Sequence, residues 1–550
     1  MLRRRTTAVA ILSRHLYTTN AKPFSKIPWK YRSKAIKDSQ KALTDYLHAT
    51  RSLPFLYADN IARNSPQSLW KTVSKIPFSP SSFSCSFQRI LRYHPINELD
   101  FFFESIGLNC DGSKIPNIFF LSDFKHFDVA CALAGMGFPW SKLGLLCKDG
   151  FFIFESDPLD LKRKINEIKN VYGFNSVTII SICLAFPRVL HNNDEMDGLL
   201  SDLKILFLDY DLWSSVEGGY VDDVFGVCLK IKSFYDSGCE MGKIGELMGR
   251  SKTVLIEHTR EDLISKIDFF RKLDVRKDEI GGFLLARPEI FSFDLGNRVV
   301  SISGFLEQLG LSENELEPLK QKYPHVFGKN RVANLPSVMR SLDLSEWFFE
   351  KMKNGGHSLL GSYTIKFCPD VFDRHYEEGV IKIQTKRTHF YAFKKLNFLH
   401  SIGFGENKFA VDALPFLNGS DHHLRQRFDC LLRCGVEYSK LCAMVKLAPK
   451  ILNQQERSIE KKIKYLCNDM GATLDYLEVF PGYLCYDLEN RIKPRFKFHK
   501  WLVEKGLCRK KYSLTTLIAC SEKAYVERLF RINRDAAMMW QENRADWTVG

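Results

Sequence analysis

The chain has 550 residues, of which 45% are hydrophobic and 13% aromatic, and a formal net charge of +15 at pH 7. That apolar content excludes an intrinsically disordered chain and suffices for three or four compact domains. The longest apolar run, VTIISICLAF (177–186), is about half of the roughly 20 residues a membrane-crossing helix needs, so no membrane span is expected.

Residues 1–37 hold ten Lys or Arg and no Asp or Glu; the first acid is Asp38. Arg3, Arg4, Arg5 and Arg14, the hydroxyl residues and the short apolar patch Ala8–Leu12 suit an amphipathic organelle presequence. Arginine at the extreme start points to the mitochondrial matrix, with the chloroplast as the alternative. Without this segment the chain would carry 69 basic and 64 acidic residues, so whole-chain charge says little about partners. Its distribution says more. Residues 381–510 hold 24 Lys or Arg against 13 Asp or Glu, which places the basic character in the C-terminal third. The expected division is a presequence (1–37), a linker or degenerate helices (38–80), a repeat array (81–525) and a C-terminal tail (526–550).

The array shows itself as a spacing. Gly173 precedes Pro187 by 14 residues, Gly310 precedes Pro324, and Gly435 precedes Pro449; Asp274 takes the glycine place before Pro288. Three further units, starting at Gly137, Gly238 and Asp343, keep the pattern without the proline. Counting from the Gly place, apolar residues fall at +1, +6, +9 or +10, and +16 to +17; in one unit these are Val436, Leu441, Met444/Val445 and Ile451/Leu452. The central set has the spacing of one helical face. A glycine before it suits a left-handed cap on the preceding helix, and proline biases its predecessor away from helix. A second helix follows. Pro449 to Gly471 is 22 residues, so the period is 36. In RSIEKKIKYLCNDMG (457–471), Ile459, Ile463, Leu466 and Met470 share one face while Arg457, Lys461 and Lys464 point the other way. A two-helix unit cannot cover its own apolar face, but stacked copies bury a continuous core. The predicted fold is therefore all-α, a curved α-solenoid of two-helix repeats of about 36 residues with proline-bounded turns. Units near 195–235 and 370–420 are degenerate.

Chemistry-bearing motifs are sparse. The 15 cysteines include no CxxC pair. Cys430, Cys434 and Cys442, with His422 and His423 nearby, lack the tight paired spacing of a zinc site, and buried thiols in a reducing compartment are the preferred reading. GKIGELMGRSKT (242–253) has a superficial likeness to a phosphate loop, but Arg250 stands where lysine is required and the first glycine is misplaced. It also fits the repeat. No HExxH, GxSxG or dinucleotide fingerprint occurs, so neither catalysis, metal nor cofactor is expected.

The repeat pattern, glycine to proline with its fixed apolar positions, resembles the mitochondrial transcription termination factor (mTERF) family. The stretch MGATLDYLEVFPGYLCYDLENRIKPRF (470–496) resembles that family's late repeat, with Pro481 in a Pro-x-x-Leu turn and an Arg491-Ile492-Lys493-Pro494-Arg495 run. Pro481 comes only ten residues after Gly471, so one helix there is shortened. The resemblance covers most of 80–525. It implies a crescent of paired helices, an organelle address and nucleic-acid binding in transcription, transcript maturation or splicing, in a plant-type member.

Phosphate binding calls for Lys and Arg in register along such a stack. The candidates are Arg457, Lys461 and Lys464 on one helix, and Arg491, Lys493, Arg495, Lys497 and Lys500 in RIKPRFKFHK (491–500). Lys386, Arg387, Lys394 and Lys395 form a second basic stretch. Pro494 suits the first turn of a helix. Phe496, Phe498 and Trp501, interleaved with the cations, are expected in the core. Double-stranded DNA is the first partner expected, controlling transcription termination or initiation. RNA, for splicing or transcript stability, is the alternative, and a protein-interaction scaffold serving organelle gene-expression proteins is a third reading.

Overall fold

The computed structural model describes residues 24, 26–108, 120–121, 126–149, 152–191, 196–296, 298–362, 371–385, 389–508 and 512–542. They fall into two compact units, divided between Ile264 and Ser265. Both are built almost entirely from short helices. Among the described residues one small element breaks the all-α pattern. Val299–Ser301 and Lys329–Arg331 pair as two antiparallel strands, with Val300 opposite Asn330.

The C-terminal unit shows the repeat most plainly. Helix Asp421–Arg433 ends at Cys434, and Gly435 follows with φ 94°. That left-handed conformation strains any residue with a Cβ. The next helix, Tyr438–Leu447, buries Leu441, Met444 and Val445. Ala448, before the proline, has left the helical region at φ −142°, ψ 73°, and Pro449 then opens a 3₁₀ turn, Pro449–Asn453. Ile451 and Leu452 are fully buried beneath it. Helix Glu456–Lys464 completes the unit, and its last turn widens to π-helix at Tyr465–Asp469.

The same sequence of events recurs. Pro187, Pro288 and Pro481 each open a 3₁₀ turn, at Pro187–Leu190, Pro288–Ser292 and Pro481–Cys485. Pro324 behaves differently. It begins a turn that runs into the strand Lys329–Arg331 rather than a 3₁₀ helix. Asp274 and Asp343 hold the glycine place with φ 63° and 60°. Asp tolerates this region better than most residues because its short side chain finds local hydrogen bonds.

The units extend beyond the expected array. In the N-terminal unit, helices Trp29–Asp45, Phe55–Asn64 and Pro66–Val73 bury Leu43, Ala58, Ile61 and Leu69. Residues 29–37, read as the end of the presequence, therefore belong to the first helix. At the other end, helices Glu522–Ile532 and Arg534–Glu542 occupy the segment read as a tail. Trp540 is 1% exposed, packs on Phe498 and Tyr525 at ring separations of 5.2 and 5.0 Å, and donates to Glu522 Oε1 at 2.8 Å. The array thus ends under a helical cap that shields its last apolar face.

No single helix among the described residues is long and apolar enough to cross a membrane.

Candidate nucleic-acid interface

Five of the candidate cations meet. Lys461 and Lys464 extend from helix Glu456–Lys464, and Lys493, Lys497 and Lys500 from helix Lys493–Glu504 in the next layer. Together they line one groove of about 520 Å³ with Tyr465, Phe496, Leu488, Asp469 and Glu489. The amphipathic spacing explains half of this. Ile459 and Ile463 are buried on the core side, which leaves Lys461 and Lys464 exposed. Pro494 lies in the first turn of the second helix, where its missing N–H costs nothing. Lys497 and Lys500, three apart, then sit on neighbouring positions of one face. Lys493 is held by Glu489, whose two carboxylate oxygens both lie 2.8 Å from its Nζ. Arg457 is exposed on the same helix as Lys461 but does not line the groove.

The aromatics divide. Phe498 is fully buried and stacks on Trp501 at 5.7 Å. Phe496 is half-buried, meets Tyr465 edge-on at 6.3 Å and forms part of the groove wall.

Three candidates are structural instead. Arg495 is 2% exposed. Its guanidinium donates to the carbonyls of Leu517 at 3.0 Å and Cys520 at 2.8 Å, pairs with Glu522 at 2.7 Å and lies 4.6 Å from the Tyr525 ring. Arg491 donates to Ile518 and Cys520 carbonyls at 2.9 and 2.6 Å. Lys395 donates to the carbonyl of Leu417. Reaching a phosphate would strip these carbonyls of their donors, so Arg495, Arg491 and Lys395 are removed from the binding surface. Lys394 is exposed, 4.7 Å from the Phe390 ring. Lys386 and Arg387 lie outside the described residues.

These corrections share one cause. Among the described residues, a basic side chain on one helix donates to the carbonyl of a leucine in a later turn in five places: Lys230 to Leu255, Lys395 to Leu417, Arg427 to Leu452, Lys462 to Leu484 and Arg495 to Leu517. A short helical turn leaves its last carbonyls without partners and bears partial negative charge there. A cation from the neighbouring layer satisfies both. Lys462 was not singled out from sequence, yet it is 3% exposed, and burial lowers the affinity of its amine for a proton. Its signal was a lysine on the apolar side of its helix, 22 residues before the leucine of the next proline turn.

The enzyme-like motifs also resolve. The carboxylate of Asp202, 1% exposed, accepts from Gly242 N at 2.7 Å and Gly245 N at 2.8 Å. The backbone donors of the loop once likened to a phosphate cradle are thus held by the protein's own anion. Cys430 and Cys442 are buried, their thiols pushed up to about 12 by desolvation. Among the described residues no three His, Cys, Asp or Glu side chains converge as a metal ion would require.

The comparison with known proteins is decisive for the family. Residues 227–355 and 386–526 match the mTERF family model. Over 538 residues, 96% of both chains, the sequence is 43% identical to the mitochondrial transcription termination factor MTEF18 of Arabidopsis thaliana. The chain belongs to the mTERF family. A second mitochondrial relative from the same plant, transcription termination factor MTERF15, is 31% identical over 395 residues, 70% of this chain and 74% of its own. The chloroplast factor MTERF8 is 24% identical over 266 residues, 46% and 47% of the two chains. The groove lies inside the second mTERF match. As an mTERF protein the chain is an organellar gene-expression factor, and its near-full-length relative is mitochondrial, the address expected from the basic leader.

Proposed function

We propose that this mTERF protein is a non-enzymatic regulator of mitochondrial transcription that binds double-stranded DNA through the C-terminal unit, acting at termination or initiation. One observation carries the reading: Lys461, Lys464, Lys493, Lys497 and Lys500, from two consecutive layers, face one groove. Glu489 and Asp469 offset part of this positive charge, and a phosphate backbone would balance the remainder while releasing its condensed counterions. The names of the relatives, transcription termination factors, agree with this role.

The test is a gel shift of the full chain on duplex mitochondrial DNA at graded salt. Charge reversal of Lys461, Lys464 and Lys500 together should weaken binding across all sequences and flatten the salt dependence. Unchanged binding by that variant would reject the groove, and no salt-dependent binding by the wild-type chain would reject the nucleic-acid reading.

RNA binding is the second reading, favoured by a separate feature. Phe390 and Tyr391, on helix His389–Ser401, are 59% and 66% exposed with Lys394 beside them. Exposed rings next to a cation are the usual platform for unpaired bases. Crosslinking followed by sequencing of the bound nucleic acid separates the two.

A further inference from the structure

The N-terminal unit carries a second basic feature, outside both mTERF matches. Residues 60–97 contain Arg63, Lys71, Lys75, Arg89 and Arg92 and not one Asp or Glu. The fold gathers part of this stretch around a cavity of about 450 Å³, lined by Lys75, Ile76, Pro77, Ser86, Arg89, Ile90, Tyr93 and His94. Helix Phe83–Tyr93 supplies one wall. Phe83, Phe87 and Leu91 are buried. Ser86, Arg89, Ile90 and Tyr93 follow the i, i+3, i+4, i+7 spacing, so they share one stripe beside that face, running from half-buried Ser86 and Ile90 to exposed Arg89 and Tyr93. The turn after helix Pro66–Val73 supplies Lys75 and Pro77. Lys75, Arg89 and His94 are exposed, Tyr93 is 74% exposed, and no carboxylate lines the cavity.

We infer that this cavity binds one nucleotide of a single-stranded nucleic acid, its phosphate between Lys75 and Arg89 and its unpaired base on the ring of Tyr93. The volume is that of a small-ligand pocket. Two cations without a competing acid select a phosphate, and Arg offers the planar fork that matches its oxygens. The exposed ring selects an unpaired base, because bases within a duplex present no free face. Ile76 and Ile90 give the pocket apolar walls for the sugar. This inference rests on the nucleic-acid reading above but uses different residues in a different unit.

The test uses the full chain, a fluorescein-labelled single-stranded RNA of mixed sequence and the duplex DNA of the same sequence. K75E/R89E and, separately, Tyr93→Ala should each lower affinity for the single strand about tenfold and leave duplex binding within about twofold of wild type. Tyr93→Phe should restore single-strand binding, since stacking needs the ring and not the hydroxyl. All substituted side chains are exposed, and the variants should melt with the wild-type protein. Single-strand binding unchanged in both variants while the wild-type chain still binds overturns this inference alone. An equal loss on duplex overturns the single-strand assignment. A loss confined to vesicles of phosphatidylcholine and cardiolipin, with RNA binding intact, would assign the cavity to a lipid headgroup and also overturn it. Failure of the wild-type chain to bind any nucleic acid would remove the underlying reading as well.

Discussion

The ammonium group of Lys462 donates to the carbonyl of Leu484 at 2.8 Å, while the hydroxyl of Tyr483 donates back to the carbonyl of Lys462 at 3.0 Å. Two repeats are joined by this exchange, and both donors are buried. Lys462 also reaches Gln454 Oε1 at 3.1 Å. The exchange makes a turn at the surface of one layer part of the interior of the next.

Replacing Lys462 with Met keeps the apolar stem and removes the donor, leaving the Leu484 carbonyl unsatisfied. The expected loss is about 1–3 kcal/mol, and Tyr483→Phe should cost roughly 1 kcal/mol. Urea unfolding followed by circular dichroism measures both. Duplex binding by the folded variants should stay at the wild-type level, because neither side chain lines the groove.

Arg495→Lys keeps the charge but not the planar fork that serves Leu517, Cys520 and Glu522 together. It should destabilise the protein by roughly 2 kcal/mol, and Arg495→Gln by more, seen as a lower melting temperature. Glu522 is 40% exposed, so solvent weakens the ion-pair share of this loss. A variant as stable as wild type but defective in DNA binding would return Arg495 to the interface.

The groove lysines should act in proportion to the phosphates they touch. Lys464→Ala or Lys500→Ala alone should lower the slope of log affinity against log salt by about 1 each. Both changes should leave the melting temperature within about one degree of wild type, because surface substitutions of this kind rarely exceed about 0.5 kcal/mol. Fluorescence anisotropy across a salt series gives the slopes.

The left-handed positions make a reciprocal pair. Asp343→Gly removes the strain of φ 60° and should stabilise by about 0.5–1 kcal/mol, whereas Gly435→Ala introduces strain of about 1–2 kcal/mol. The new methyl would also press on Leu474, 3.3 Å away. Thermal unfolding distinguishes the two signs directly.

His325 should make the protein acid-sensitive. It is fully buried, neither ring nitrogen has a hydrogen-bond partner among the described residues, and it packs on Phe404 at 4.8 Å. Burial, reinforced by Lys446, lowers its pKa to about 3. The unfolded chain therefore binds the proton more tightly than the folded one. His325 leaves stability untouched above the unfolded value near 6.5, and removes it as pH falls from there toward 3, by up to about 1.4 kcal/mol per pH unit. Stability measured from pH 8 to 4 should show this slope, and His325→Phe should flatten it.

Much of the repeat was legible because it rests on local rules. A glycine or aspartate in the left-handed region, a helix of fixed phase and a proline that forces its predecessor to extend are properties of neighbouring residues. Lys461 and Lys464 read correctly as outward for the same reason: Ile459 and Ile463 fix which way their helix turns. The helical cap carrying Trp540 is not legible in the sequence because it lies beyond the last clear proline turn, and its amphipathic pattern is short.

What sequence alone determined, then, is the two-helix unit, its period, its buried face and the family it belongs to. Whether a given cation opens onto a groove or caps a carbonyl was decided only by tertiary structure. Lys461 and Lys462 are adjacent in sequence, as close in composition as two residues can be, yet one lines an open groove and the other is 3% exposed. Periodicity places a side chain on a face of its helix. It does not say which carbonyls the next layer brings within about 3 Å, and the orphaned end of a helical turn attracts a cation by its partial negative charge.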